Sequence, residues 1–502
     1  MKTYVGIDFG ACYIKAAKIS SQLNRVQPVK LNMNIAGGVD LPAVILYDKI
    51  NGEIEFKIGD SAQSSVDVEN KISRLTPKLA LKNWGKYIPN LDCEISAADA
   101  FKDIFSKIWR HISKQAARDE NFDVTVTVPA AFSDVQKKIV RHAAICADVP
   151  ISTIISEPFA AIFAREEIFQ ADDSQFPLIF DFGATTLDIT LFELKRTAKT
   201  LNVTKLSAAT LNYGGADIDE SILRNIFATK YAAAVEIFRD NPFELLTLIE
   251  KMKEEIFLDE EEISSGSLID GNGNLYEFEL TRQEIFTAIE KDGVKEKIIE
   301  MLDDLLDDAG ILPNEVTKVE PIGGTSSIDY FLDVLTNYFG ENIFDADDFE
   351  REGITLNAAI GAAMYRKLTD EENMRVKLKN IVPCGIYIQR GDKFFRCIRR
   401  NELRGFITPY KPILIDELKK NKWRLSIYQS FCNEVELSAE SGSAVFIGDV
   451  KLDSRLYETE TILFKMKLTA AGRISIKFFE DRKVNGRSKI VFVEEKILGI
   501  SK

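Results

Sequence analysis

Four stretches of the chain set glycine beside a carboxylate or a hydroxyl: Asp8 with Gly10 in GIDFG, Asp181 with Gly183 in IFDFGATTLDIT, Gly214 and Gly215 in YGGADID, and Gly323, Gly324 and Thr325 in IGGTSS. Without a Cβ, glycine lets backbone N–H groups come close to phosphate oxygens. A carboxylate at a strand end can hold a hydrated divalent cation against those same oxygens. These residue types therefore suit the binding of a polyphosphate with a metal. IFDFGATTLDIT flanks its turn with two acids, Asp181 and Asp188, yet contains one glycine only, Gly183. One such turn is more often a plain chain reversal; four in one chain argue for a phosphate site.

Composition removes other chemistries. Two histidines, His111 and His142, leave almost nothing for a zinc site or a histidine-based triad. Cys12, Cys93, Cys146, Cys384, Cys397 and Cys432 show no CxxC spacing and read as reduced, mostly buried thiols. No run of about 18 apolar residues suggests a membrane span. The start, MKTYVGIDFG, enters a strand pattern at once rather than a signal peptide, so the expected location is cytoplasmic, with no membrane partner. Residues 376 to 502 hold 25 Lys and Arg against 15 Asp and Glu, a charge of +10. The remaining 39 basic and 63 acidic residues leave −24 on residues 1 to 375. A basic tail on an acidic body implies mutual attraction, or acidic partners for the tail.

Rigid elements must carry the turns. TYVGIDFG reads as a strand ending at Gly10, and ACYIKAAKI as its hairpin partner. AADAFKDIFSKIWRHISKQ sets Phe101, Ile104, Phe105, Ile108, Trp109 and Ile112 on one helical face. FDVTVTVPAAF is a strand closed by Pro129, with a helix expected from about Ser133 as its N-cap. FPLIFDFGATTLDITLF repeats the strand, Gly turn, strand order, and KEKIIEMLDDLLDDAG reads as an amphipathic helix stopped at Gly310. VTKVEPIGGTSSIDYFLDVL reads as strand, GGT turn and helix. Two hairpins built on Asp-Phe-Gly predict a duplicated α/β architecture whose turns face one cleft. From about Arg375 the pattern becomes alternation: KWRLSIYQS, then LFKMKLTAAGRISIKFF turning at Gly472, then an Asn485-Gly486 hairpin turn. An antiparallel β domain follows, with the charged LTDEENMRVKLKN as linker.

The order GIDFG, VTVPAAFSDVQ, IISEPFAAIFA, IFDFGATTLDIT, YGGADID, IGGTSS, AAIGAA and VPCGIYIQRGDKFFRCIRRNELRGFITPYKPILI resembles the DnaK-type heat-shock chaperone family, over nearly the whole chain. The resemblance implies an actin-like ATPase domain of two lobes over residues 1–368 and a linker at 369–381. It further implies a β-sandwich over 382–502 that binds extended polypeptides. The ending VFVEEKILGISK gives the expectation that the family's helical lid is missing. The implied ligands are ATP or ADP with magnesium, and the implied partners are unfolded or extended polypeptides, acidic ones included, together with co-chaperones. Nucleic acid ranks last, because Trp423 is the one aromatic platform near the basic clusters RCIRRNELR and KKNKWR.

The same resemblance assigns Asp8, Glu157 and Asp181 to the metal and its water shell, Asp188 to the catalytic water, and Thr186 to the γ-phosphate. Gly10, Gly183, Gly214, Gly215, Gly323, Gly324 and Thr325 fall in the phosphate loops, and Glu250 and Lys253 beside the adenosine. The last two read equally well as an exposed helical pair. In the β domain Ile386, Ile388, Phe394, Phe395, Leu425 and Ile427 are candidate peptide contacts, with sandwich core as the alternative.

Departures from the family pattern are specific. Ala11 and Cys12 replace two hydroxyls, and Ala184 and Thr185 replace glycines. Ser73 stands where an essential lysine belongs; Lys71, two residues earlier, would point to a different face if this stretch were helical. Glu254, Phe257 and Ser327 replace an arginine, a serine and a second arginine around the adenosine. Loss of a cation near the γ-phosphate commonly costs about two to four powers of ten in rate. The expectation is weak nucleotide binding with slow or absent hydrolysis; the competing one is a pseudo-ATPase scaffold or co-chaperone docking a fixed partner.

Overall fold

A computed structural model of the chain describes residues 2–21, 26–31, 38–65, 67–75, 84–114, 120–130, 132, 134–164, 174–197, 199–239, 242–258, 260–344, 351–371, 374–379, 381, 385–399, 402, 406–430, 435–438, 445–469, 473–484 and 487–499. The chain divides into two compact units, Met1–Asn202 with Ala209–Val376, and Val203–Ala208 with Lys377–Lys502. It is mixed α/β with several separate sheets.

In the first unit, β1 (Lys2–Phe9) and β2 (Tyr13–Ser20) form an antiparallel hairpin. Helix α1 (Ala97–Lys114), β3 (Asn121–Val128), α2 (Asp134–Cys146), β4 (Ile151–Ser156) and α3 (Glu157–Ala161) follow. Strand order is β4-β3-β1-β2, with β1, β3 and β4 parallel. Both faces of β1 and β3 are covered, which is why their sequences are near-continuous apolar runs rather than alternating ones. The residue expected to cap α2, Ser133, lies outside the described residues, and α2 starts one position later.

The arrangement recurs. β5 (Pro177–Phe182) pairs antiparallel with β6 (Leu187–Thr197) and parallel with β7 (Lys318–Ile322). Between them come α4 (Gly215–Ile222), α5 (Pro242–Leu258) and α6 (Val294–Ala309), the last ended by Gly310 in the left-handed conformation at φ 67°. After β7 come α7 (Asp329–Phe339) and α8 (Arg351–Asp370).

In each Asp-Phe-Gly hairpin the phenylalanine is driven into the core while its neighbours turn the chain. Phe9 stacks on Phe101 of α1 at 4.3 Å between centroids, and Phe182 packs on Phe331 of α7 at 4.7 Å. Each anchored ring holds the preceding aspartate at its strand end. α8 lies against β1 and α3 through AAIGAA, where Ala359, Ala362 and Ala363 are buried. A Cβ on Gly6 would sit 1.9 Å from the Ala359 carbonyl oxygen, so this close approach requires glycine. Asp370 at the end of α8 accepts from Lys2 Nζ at 2.5 Å and from the Tyr4 hydroxyl at 2.7 Å.

Of residues 369–381, Thr369 and Asp370 finish α8 and Arg375–Lys379 form a strand, so the stretch expected to be a linker carries regular structure. The second unit contains β8 (Gly385–Arg390), β9 (Lys393–Ile398), β10 (Lys411–Leu414), α9 (Ile415–Lys420), β11 (Arg424–Ser430) and β12 (Glu436–Ser438). It closes with β13 (Val445–Lys451), β14 (Thr461–Leu468), β15 (Arg473–Val484) and β16 (Arg487–Gly499). One sheet has the order β12-β9-β8-β11-β13 and the other β10-β14-β15-β16. Ile386, Ile388, Leu425 and Ile427 of the first sheet and Phe464, Met466, Ile476 and Phe478 of the second fill one apolar cluster. The expected turn residues Gly472, Asn485 and Gly486 lie outside the described residues, although Val484 pairs with Arg487 across the second turn. Among the cysteines, Cys397 is buried, Cys12 and Cys93 half-buried and Cys146 exposed; Cys384 and Cys432 lie outside the described residues. Among the described residues, no helix is long and apolar enough to cross a membrane.

Candidate functional site

Strand register sets the site. Asp8 lies opposite Lys15 across the first hairpin and beside Thr127 of β3. Asp181 lies opposite Asp188 across the second. Glu157 opens α3 directly after β4, with Pro158 at the first turn, where proline's missing N–H costs nothing. Asp8, Glu157, Asp181 and Asp188 all keep some exposed surface while being surrounded by protein. Burial and the charges of Asp8, Asp181 and Asp188 push the Glu157 carboxyl well above its ordinary range. Burial and the charges of Asp188 and Asp8 do the same to Asp181, opposed by Lys15. Asp8 is also raised by burial, against the pull of the Thr127 hydroxyl, which donates to Asp8 Oδ1 at 2.5 Å, and of Lys15.

The acids of both hairpins act on Glu157 and Asp181, which makes this a cation-seeking set. Among the described residues, no group of three or more His, Cys, Asp or Glu is arranged to hold a metal ion by itself. A divalent cation at these residues would therefore have to keep its waters and meet the carboxylates through them. Asp188 accepts on both oxygens, from Thr186 Oγ1 at 3.0 Å and from Thr210 Oγ1 at 2.5 Å, so its carboxylate is fixed in direction.

The glycine turns interlock. Gly183 donates its amide to the Thr186 carbonyl at 3.0 Å; its own carbonyl accepts from the Gly215 amide at 3.1 Å and from Thr325 Oγ1 at 2.9 Å. A Cβ on Gly214 would come within 2.4 Å of the Ala184 carbonyl carbon and the Thr185 amide nitrogen. Gly323 takes φ 84°, and a Cβ there would come within 2.4 Å of the Phe182 carbonyl oxygen. The second hairpin, the Gly214–Gly215 turn and the Gly323–Gly324 turn therefore meet at one place. The amides of Gly183 and Gly215 are spent on this internal packing. Gly10 stands at the equivalent turn of the first hairpin, close to the Tyr13 carbonyl.

On α5, Glu250, Lys253, Glu254 and Phe257 share one face at helical spacing. Lys253 is not half of an exposed pair: it is buried, with Nζ 2.6 Å from Asp219 Oδ1 and 2.9 Å from the Gly215 carbonyl oxygen. It ties α5 to the Gly214–Gly215 turn, and burial raises its partner Asp219 to about 6 despite the lysine's charge. Glu250 is half-buried. Phe257 is buried, near Phe286 and under the Arg282 guanidinium. Ser327 is buried and donates to the Gly324 carbonyl at 2.6 Å.

Tyr13, at the first hairpin turn, reaches across to this helix and donates its hydroxyl to Glu254 at 3.2 Å. Burial and neighbouring Glu250 push Glu254 up to about 7, while Lys253 and Tyr13 pull the other way. An acid whose folded value is raised binds more protons folded than unfolded, so its contribution to stability falls as pH rises, here between its ordinary 4.5 and about 7. Glu254→Gln should therefore show a shallower loss of melting temperature than the parent between about pH 5 and about pH 8. An unchanged slope in melts across that range would remove Glu254 as a source.

Ser73 and Lys71 correct the expectation for the missing lysine. They sit in a strand, Lys71–Ser73, paired with Val44–Leu46, and not on a helix. Residues two apart in a strand share a face, so direction does not disqualify Lys71. Its partners do: Nζ donates to the carbonyls of Gln63 at 2.9 Å and Ser65 at 2.5 Å.

In the second unit Ile386, Ile388, Leu425 and Ile427 are at most 2% exposed and belong to the core shared by the two sheets. Phe395 packs against that core, under Arg390. Phe394 lies on the opposite face with Tyr387 and Leu437, its ring 4.4 Å from that of Tyr428. Within the basic clusters Arg399 pairs with Glu402, Lys419 with Asp416 and Arg424 with Asp449, as solvated strand faces do.

Sequence reasoning missed Lys15, Tyr13, Thr127, Thr210 and Asp219. A signal existed for Lys15: Asp8 to Lys15 and Asp181 to Asp188 have the same separation in two copies of Asp-Phe-Gly-Ala.

Residues 54–430 match the Hsp70 protein family. The chain is 26% identical over 375 residues to the Chaperone protein DnaK of Thermoplasma volcanium, covering 73% of this chain and 59% of that protein. With the Chaperone protein DnaK of Picrophilus torridus the identity is 27% over 428 residues, 82% of this chain and 64% of the relative. With a ribosome-associated molecular chaperone of Nakaseomyces delphensis it is 26% over 258 residues, 49% of this chain and 40% of the relative. The chain thus spans less than two thirds of the length of these relatives. A family match that covers most of the chain, on a fold that repeats one acidic hairpin around a shared carboxylate site, places this protein in the Hsp70 family.

Proposed function

We propose that the protein is a divergent Hsp70-type chaperone. Its first unit is read as a two-lobed actin-like ATPase domain, binding ATP or ADP with magnesium. The second is read as a β-sandwich, its two sheets sharing one core, that binds extended polypeptide segments. The observation that carries the nucleotide reading is the meeting of Asp8, Asp181 and Asp188 from two copies of the same hairpin with Glu157 at the start of α3, next to three interlocked glycine turns. Magnesium would supply positive charge against the phosphates, and Asp8, Glu157 and Asp181 would hold it through its waters. Asp188, fixed by Thr186 and Thr210, would orient the attacking water, and Thr186 would face the terminal phosphate. Lys253 acts by holding the Gly214–Gly215 turn in place. With Ser73 in the lysine position, turnover is slow. For polypeptide binding, the sheet face that presents Tyr428 and the exposed Phe446 above the buried Tyr387 and Phe394 is the surface we favour, while Ile386, Ile388, Leu425 and Ile427 shape the strands from within.

One observation favours a second reading, a pseudo-ATPase scaffold or co-chaperone docking a fixed partner. Tyr13 bridges to Glu254 where adenosine-binding groups are expected, and Phe257 closes the same face. Calorimetric titration with ATP and ADP in magnesium, with phosphate release followed in the same sample, separates the two. We expect magnesium-dependent binding of both nucleotides, with release slowed by about two to four powers of ten relative to a lysine-bearing site. No heat at about 1 mM nucleotide, a dissociation constant worth only ~4 kcal/mol, would leave the scaffold reading standing.

A further inference from the structure

The first hairpin holds a cation that the assigned site does not use. Lys15 sits on β2 with its side chain 9% exposed, an unusual place for an ammonium group. Its nearest acid is Asp40, at 3.7 Å between Nζ and Oδ1, which is an ion pair but too long for a hydrogen bond. Among the described residues Nζ has no hydrogen-bond acceptor. An ammonium carries three donors, and here they are left for solvent or a ligand to fill. The other candidate lysines are filled: Lys71 by two carbonyls, Lys253 by Asp219 and the Gly215 carbonyl. Register puts Lys15 directly opposite Asp8, the position that Asp188 holds opposite Asp181 in the second hairpin. Its charge acts on both Asp8 and Asp181, so it stands within range of the acids of both hairpins.

We propose that Lys15 is the phosphate-binding cation of this site, donating from Nζ to the polyphosphate of a bound nucleotide and supplying the charge that Ser73 does not. This rests on the nucleotide reading above. A phosphate oxygen fills an ammonium donor with a charge-assisted hydrogen bond, which Asp40 at its present distance does not. The lysine also offsets part of the repulsion between the four carboxylates and an incoming polyanion, a task it would share with the metal. The two hairpins thereby divide the work: the residue opposite the first aspartate attracts phosphate, and the residue opposite the second directs water.

The test compares the parent chain with Lys15→Met by calorimetry, using ATP, AMP and inorganic tripolyphosphate, each with magnesium. Lys15→Met should weaken ATP and tripolyphosphate by about 10- to 100-fold, as loss of a charge-assisted bond does, and should change AMP by less than about 3-fold. If the parent binds ATP and the variant binds it equally well, the role of Lys15 is overturned and the nucleotide reading survives. If the parent binds tripolyphosphate through Lys15 but not ATP, the lysine assignment holds and the nucleotide reading fails. If the parent binds neither, both fall. Melting curves without ligand check that the variant is folded; should Lys15→Met be unfolded, Lys15→Gln, close in length and uncharged, takes its place with the same expected losses.

Discussion

Asp181→Asn should weaken magnesium-dependent nucleotide binding by about 100-fold while making the unliganded protein more stable. The two effects share one cause. Asp181 is enclosed by protein and flanked by Asp188 and Asp8, which together with burial drive its carboxyl far above the ordinary range. On the proposed reading a hydrated cation would relieve this repulsion, so removing the carboxylate removes a holder of that cation, with an expected loss of about 100-fold in magnesium-dependent affinity. Without ligand, the same carboxylate is a cost. Its raised value means that the folded chain binds more protons than the unfolded one above its ordinary 3.8, so stability falls as pH rises. Asparagine is neutral at every pH and cancels that slope. Melting curves without magnesium between about pH 5 and about pH 8 should run flatter and higher for the variant. A variant that melts lower than its parent at neutral pH would show that Asp181 is held by favourable partners rather than strained against its neighbours.

Gly361→Ala should destabilise the first unit by about 3 kcal/mol, against the trend for a glycine inside a helix. Helix propensity alone predicts a gain of up to about 1 kcal/mol on replacing glycine by alanine. Packing decides the sign. A Cβ at position 361 would lie 1.8 Å from the Ala160 carbonyl oxygen and 2.6 Å from its carbonyl carbon, and both are backbone atoms that cannot rotate away. α8 would have to withdraw from α3, whose first residue is Glu157. The substitution should therefore lower the denaturation midpoint and also shift a carboxylate of the site. Gly271→Ala is the control: a Cβ there meets nothing within 4 Å, and the change should stay within about 0.5 kcal/mol. Equal midpoints for the two variants in urea would mean that α8 and α3 have room to part.

Some of this protein can be read from its sequence because it depends on near neighbours. The two Asp-Phe-Gly hairpins, the face of α1 from Phe101 to Ile112, the stop of α6 at Gly310 and the alternation of β14 and β15 are all set by residues a few positions apart, whose spacing maps directly onto strand or helix geometry. The acids at the strand ends follow from the same local logic, and so does their grouping with the glycine turns once the duplication is noticed.

What a side chain touches is another matter. Alternation in YIKAAKIS cannot say that both faces of β2 are covered and that Lys15 is therefore buried; that follows from packing against other parts of the unit. Lys71 and Ser73 read as helical beside the family pattern, and pairing with Val44–Leu46 makes them a strand. Lys253 gains Asp219 from 34 positions away, and Tyr13 gains Glu254 from 241 positions away. Ile386, Ile388, Leu425 and Ile427 alternate equally well for a groove or a core, and the second sheet covers them. Sequence determined which groups the chain can bring to an anion and a metal. Tertiary structure alone decided which of those groups are already spent on one another and which, like the Lys15 ammonium, still have hydrogen bonds to give, because burial and partner choice depend on elements that meet only when the chain has folded.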